Sequence, residues 1–359
     1  MAAAPPPPTD FPPAPPRGRP WRVIAVALFA VALVLAGIAA YLYVTNRIEP
    51  STWALAATQV TDLHARGLDG TGVRVCIVDT GVDLSHPELQ GVRLIAWHDF
   101  TRSSSPATPY DDAGHGTAMA GIIFAQGTLR GVAPKAGLIA VKAITASGTG
   151  SDKAIADAID FCLAPNGDVS LEADVVSLSL GGSNHAFLGS QTASATIRAL
   201  GDGVHVVAAA GNDGGPGDDG DVESPASEPG VIAVGAVDRQ GVIASFSSIG
   251  STTWGLPPGA RTDPDKKPEV VVPGVVIAAP LNGGRYDYVS GTSPAAALMS
   301  GIVALVLQDH PGYVRNSSAL PAFKAALMES AIPEDGQQLP HDQHYGYGLV
   351  QAASWHDRL

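Results

Sequence analysis

Five short runs of β-branched and small apolar residues constrain this chain more than any other feature: 73–78, 138–141, 175–180, 204–210 and 231–237. Each is too short for a helix and is dominated by apolar and small residues. Each therefore reads as a strand covered on both faces. Helical stretches lie between the runs, notably 152–163 and 191–200. Strands alternating with helices predict an α/β fold of three layers, a mostly parallel central sheet with helices on both faces. Ligands of such sheets gather at the carboxyl ends of the strands, and chemistry is expected there.

The N-terminus obeys a different rule. Residues 1–22 carry proline runs at 5–8 and 12–16 and read as an extended tail, and 23–44 is an apolar run without a charge. About 20 such residues cross a hydrocarbon core. Arg17, Arg19 and Arg22 precede the run and only Arg47 closely follows it. That bias keeps the tail in the cytoplasm and puts residues 45–359 outside, as one domain on a single-pass anchor in the cell membrane. A cleaved leader processed near 36–40 is the competing reading, against which stands an apolar run about twice the length of a leader core.

A net charge of −13 with no clustered Lys/Arg face argues against a nucleic-acid partner. With 45% hydrophobic and 15% charged residues the chain has material for a large core. Cys76 and Cys162 fit no metal spacing, and each sits in an apolar run. They read as buried free thiols. Asn316-Ser317-Ser318 matches a glycosylation acceptor, but so short a match carries no weight.

A few chemically capable residues stand at element ends. Run 73–78 stops at Asp79, a carboxylate that alone would be an ordinary turn residue. Gly114-His115-Gly116-Thr117 opens the apolar stretch 118–124, so His115 starts a helix between glycines that let other backbone approach its ring. One histidine among ten would by itself be a surface group. Run 204–210 leads into Gly211-Asn212, which offers an amide N–H₂ at the same sheet edge. Ser290-Gly291-Thr292-Ser293-Pro294 then delivers a hydroxyl to the start of 295–307, a helix apolar all round, with Pro294 at its first position. A serine there lies beside N–H groups with no intrahelical partner, which suits a nucleophile whose reaction develops an oxyanion. Alone the tripeptide is plain N-capping. Together, in the order Asp, His, Ser, and with Asn212, they stand at element ends among small residues of one α/β domain, and they are of the types that a serine nucleophile needs for a base, an orienting carboxylate and a second oxyanion donor.

These segments resemble those of the subtilisin-family serine proteases. Val78-Asp79-Thr80-Gly81-Val82-Asp83 with His86-Pro87 is similar to the family's aspartate segment, Gly114-His115-Gly116-Thr117 to its histidine segment, Ala209-Ala210-Gly211-Asn212 to its oxyanion segment, and Ser290-Gly291-Thr292-Ser293 to its serine segment. Gly131-Val132-Ala133-Pro134, Ser179-Leu180-Gly181-Gly182, Ser245-Phe246-Ser247-Ser248 and Tyr345-Gly346-Tyr347-Gly348 also match. The resemblance implies a serine endopeptidase acting on polypeptides without a required cofactor. Ser293 would be the nucleophile, His115 the base, Asp79 its orienter, and Asn212 with the Ser293 N–H the oxyanion hole. Substrate would lie extended along Gly148-Thr149-Gly150 and Ser179-Leu180-Gly181-Gly182, adding a strand by main-chain hydrogen bonds. Small residues at 208–211 and at Gly181-Gly182 point to a roomy, permissive pocket. A peptide-binding domain without activity and a transpeptidase are the rival readings.

Three departures from the family pattern carry expectations. Pro294 pushes Ser293 away from helical dihedrals, with a shifted serine rotamer as the outcome. The segment between Val44 and the catalytic domain leaves no room for the family's folding prodomain. Loop 125–131 is too short and too poor in oxygen ligands for the family's tight calcium site, and the acidic loop Asp218-Asp219-Gly220-Asp221 is the alternative place for a weak one.

Overall fold

The computed structural model describes residues 1, 20–45, 48–182, 190–255 and 258–359. They divide into two compact units, Met1–Ile48 and Glu49–Leu359. The first contains one helix, α1 (Pro20–Thr45), whose apolar side chains from Ile24 to Ile38 are exposed. Among the described residues the helix that is long and apolar enough to cross a membrane is Thr292–Asp309, but 83% of it is buried in the second unit. It is a core helix.

The second unit is built on strands β1 (Arg74–Asp79), β2 (Arg93–Asp99), β3 (Gly137–Lys142), β4 (Val175–Leu178), β5 (His205–Ala209), β6 (Ile232–Val237), β7 (Thr253–Trp254), β8 (Gly259–Ala260), β9 (Val270–Pro273), β10 (Ile277–Leu281) and β11 (Arg285–Val289). Its helices are α2 (Thr52–Ala57), α3 (Val60–Ala65), α4 (His115–Phe124), α5 (Asp152–Leu163), α6 (Gln191–Gly201), α7 (Thr292–Asp309), α8 (Leu320–Ser330) and α9 (Ala352–His356). Seven strands form one sheet in the order β2-β3-β1-β4-β5-β6-β9, every pairing parallel. Two hairpin-like pairs, β7 with β8 and β10 with β11, stand apart.

The five expected strands are the interior of this sheet. Alternate residues of each serve opposite faces, as the period of two requires. On β1, Val75 and Ile77 enter the core layer holding α4 and α7, while Cys76 and Val78 enter the layer holding α5 and α6. β5 divides in the same way, Val207 and Ala209 against Val206 and Ala208. The sequence reading did not include the two edge strands. β2 carries Arg93, Trp97, His98 and Asp99 in a half-exposed pattern, and β9 is four residues ending in Pro273. Neither shows the long buried run that marks an interior strand.

The cysteines are not free thiols. Cys76 of β1 and Cys162 of α5 form a disulfide, with Cα atoms 5.8 Å apart and a sequence separation of 86. The crossover from β3 lays α5 against β1, so two positions that each look like simple core sites meet in one layer.

Every strand's carboxyl end lies on one edge of the sheet. The register pairs Asp79 at the end of β1 with Lys142 at the end of β3, and β4 ends one residue before Ser179. Strand order reverses around β1, where β3 and β4 flank it, and that is where an open α/β sheet forms its crevice.

Candidate active site

Asp79 is 2% exposed, and its carboxylate is committed on both oxygens. Oδ1 accepts the Thr80 N–H at 2.6 Å and faces His115 Nδ1 at 2.8 Å, while Oδ2 lies 3.0 Å from the same nitrogen. His115 is the first residue of α4. The helix can approach this close because position 116 is glycine, where a Cβ would stand 2.1 Å from the Gly81 carbonyl oxygen. The Asp79 charge raises the imidazole's pKa above its ordinary 6.5, against the opposing effect of burial. A positioning residue that the sequence reading did not single out, Asp111, holds the start of α4: it accepts the N–H groups of Ala113, Gly114 and Thr117 and the hydroxyls of Thr80 and Thr117. Its only sequence signal was the acid pair before the glycine.

Ser293 sits in the first turn of α7, which begins at Thr292, so Pro294 is its third residue and not its first. The proline is tolerated because no N–H of that turn has an intrahelical acceptor. Nor does it drive Ser293 out of the helix. The Ser293 hydroxyl donates to the Ser179 carbonyl at 3.2 Å, and the Ser179 hydroxyl donates back to the Ser293 carbonyl at 3.0 Å. No hydrogen bond joins Ser293 to His115, although both border one cleft. Asn212 follows β5, and its Oδ1 accepts the Thr292 N–H at 2.9 Å and the Thr292 hydroxyl at 3.2 Å. That fixes the amide's orientation. Its Nδ2 donates to no acceptor among the described residues.

The cleft measures about 640 Å³ and is bordered by Asp79, His115, Asn212 and Ser293. Gly148, Gly150, Ser179, Leu180, Gly181 and Gly182 line it as well, but Thr149 does not. Thr149 instead closes the neck of its own loop, its carbonyl accepting the Thr145 N–H at 2.8 Å and the Thr145 hydroxyl at 3.0 Å. The cleft is roomy and glycine-lined, as expected, but it also holds a carboxylate. Glu223 lines the cleft beside Gly181, Gly182 and Gly211, and burial, with the nearby charge of Asp213, raises its pKa.

In the acidic loop two carboxylates are held by the fold itself. Asp218 accepts the N–H groups of Gly220 and Ile249, and Asp221 accepts those of Val222 and Ser251 and pairs with Arg261 at 2.9 Å. Loop 125–131 is held by a buried carboxylate, Glu88, which accepts the Thr128 and Leu129 N–H groups at 2.9 and 2.8 Å. No group of three or more His, Cys, Asp or Glu suited to a metal occurs among the described residues.

Residues 70–348 match the Subtilase family. The chain is similar to Subtilisin NAT of Bacillus subtilis subsp. natto, 33% identical over 313 residues that cover 84% of this chain and 71% of that protein. It is equally similar to Subtilisin of Bacillus pumilus, 33% identical with 98% of that protein covered. M-protease of Shouchella clausii (strain KSM-K16) is 36% identical over 316 residues, covering 86% of this chain and 70% of that protein.

Proposed function

Because the chain belongs to the subtilase family, whose members are serine endopeptidases, we propose that Ser293, His115, Asp79 and Asn212 hydrolyse peptide bonds in this cleft. The observation that carries the assignment is the Asp79–His115 pair at 2.8 Å bordering the same cleft as Ser293 and Asn212. In the reaction the Ser293 hydroxyl leaves the Ser179 carbonyl, gives its proton to His115 and attacks the scissile carbonyl carbon. The oxyanion that forms is met by the Asn212 amide and the Ser293 N–H. His115 then protonates the leaving amine, and water, deprotonated by the same ring, releases the acyl group. The family's chemistry requires no cofactor.

The enzyme is also read as anchored, with 23–44 spanning the membrane, the N-terminus cytoplasmic and the catalytic unit outside. The apolar run and the arginines before it support this reading. So does the Cys76–Cys162 disulfide, since such bonds persist in oxidising compartments.

Labelling of the full chain with a fluorophosphonate probe tests the chemistry. Labelling lost in Ser293→Ala and after heat denaturation is expected, and a folded protein that never labels would overturn the assignment. Carbonate extraction of membranes tests the anchor. Release of the chain into the supernatant would sink that part alone.

A further inference from the structure

We propose that Glu223 makes the cleft select substrates with a basic side chain, arginine or lysine, on the residue whose carbonyl Ser293 attacks. The inference rests on the protease reading above and names its substrate class.

The placement of Glu223 follows from its backbone. Its N–H donates to the Ala210 carbonyl at 2.7 Å, and the next residue, Ser224, exchanges two hydrogen bonds with Gly182 at 3.1 and 3.2 Å. Glu223 is thereby clamped between two segments that both reach the reacting atoms. Segment 209–212 ends at the oxyanion donor Asn212, and segment 179–182 begins at Ser179, which is bonded to Ser293. An acyl group held at Ser293 with its oxygen toward Asn212 points its side chain between these two walls. Glycines make room for the carboxylate there. A Cβ on Gly181 would lie 2.2 Å from Glu223 Oε2, and one on Gly211 would lie 2.7 Å from Glu223 Cγ.

Among the described residues the carboxylate has no countercharge. The other acids lining the cleft are satisfied, Asp79 by His115 and Asp152 by the Gln191 and Thr192 N–H groups at 2.8 and 2.9 Å. No lysine or arginine lines the cleft, and no cation stands within ion-pair distance of Glu223 among the described residues. Among the described residues its charged neighbours are Asp213 and Asp219, and the Asn212 N–H is the one contact that stabilises its charge. A partly buried charge in that position is costly until a cation meets it. An arginine or lysine side chain supplies that cation, an apolar one strips water from the carboxylate without replacing it, and an acidic one adds repulsion.

The test uses the full-chain enzyme and peptides of a single sequence that differ at one position, carrying arginine, lysine, citrulline, leucine or glutamate on the amino side of the scissile bond. Citrulline keeps the shape of arginine without its charge. A charge-assisted hydrogen bond is worth enough that kcat/KM for arginine should exceed that for citrulline by about 10- to 100-fold. In Glu223→Gln that ratio should fall to near one. Equal rates for arginine and citrulline, a preference for leucine, or a ratio unchanged in Glu223→Gln would overturn the proposal, provided the enzyme labels with fluorophosphonate. An enzyme that does not label fails at the earlier assignment and takes this one with it. If Glu223→Gln does not fold, the arginine-to-citrulline ratio of the unaltered enzyme decides alone.

Discussion

At one end of the cleft Asp79 spends both oxygens on partners fixed by the fold, His115 Nδ1 at 2.8 and 3.0 Å and the Thr80 N–H at 2.6 Å. At the other end Glu223 faces Asp213 and Asp219 and is met by no cation among the described residues. The first carboxylate is complete before substrate arrives, so in the proposed mechanism its work is to hold and charge-stabilise the imidazole. The second lacks a cation among the described residues, and in the proposed specificity substrate supplies one. A buried charge satisfied within the fold acts on the rate, whereas one left unsatisfied acts on the choice of ligand.

Removing the complete end should cost most. In a subtilisin, a relative of this chain, loss of the nucleophile or the base lowers kcat by about 10⁶-fold and loss of the aspartate by about 10⁴-fold. Similar losses are expected for Ser293→Ala, His115→Ala and Asp79→Asn, measured on one peptide substrate. The pH profile sharpens the point. His115 must be neutral to accept the proton, and the Asp79 charge raises its pKa above 6.5, so kcat/KM should fall as pH drops through a midpoint above that value. The midpoint should move down in Asp79→Asn. A midpoint unmoved in that variant would break the claim that Asp79 acts through the imidazole.

Asn212 should come next, because in the proposed mechanism its amide N–H₂ meets substrate only as the oxyanion develops. Asn212→Ala should lower kcat by about 10²- to 10³-fold with little change in KM, the range known for this donor in a subtilisin. A change mainly in KM would show that the amide binds ground-state substrate instead.

The two ends also differ in how much of each the sequence disclosed. Asp79, His115, Asn212 and Ser293 were legible because each closes or opens a strongly patterned element and is flanked by small residues that permit close approach. Glu223 was not. It lies in the patternless stretch between Asn212 and β6, and non-local pairings, Glu223 with Ala210 and Ser224 with Gly182, bring it to the cleft. Thr149 is the reverse case, a residue between two lining glycines whose carbonyl is spent within its own loop. The disulfide was hidden for a third reason: its cysteines have a sequence separation of 86, and each alone has the surroundings of an ordinary core residue. The parallel sheet itself needed only local pattern, and its interior strands were accordingly readable to within a residue or two.

Acidification distinguishes the ends in a single experiment. Burial and the neighbouring Asp213 raise the Glu223 pKa, so its charge, and the selectivity it confers, is present above that value and lost as pH falls through it. His115 titrates equally for two peptides that share everything but charge, so its effect cancels in their ratio. The arginine-to-citrulline ratio should therefore decline from about 10- to 100-fold toward one on acidification, even as both rates fall. A ratio independent of pH down to the ordinary glutamate range would place the selecting charge elsewhere.

The smallest effect on the cleft should come from the Cys76–Cys162 bond, three residues before Asp79 on the same strand. It joins β1 to α5 in the layer that holds α6, whereas α4 and α7, which carry His115 and Ser293, pack in the other layer. Asp79 is aimed by contacts that survive the loss of the bond, since β1 pairs in register with β3 along its whole length and Thr80 fixes the carboxylate. The bond should thus act on the unfolded chain far more than on the active site. Replacing both cysteines by alanine should lower unfolding stability by about 2–4 kcal/mol, read from the denaturant midpoint. The same variant, assayed well below that midpoint, should keep kcat/KM within about threefold, roughly 0.6 kcal/mol, of the parent. A tenfold loss of activity in a fully folded variant would mean that Asp79 needs the crosslink to stay in place. The end of the cleft described as complete in itself would then depend on a covalent tie from the opposite face of the sheet.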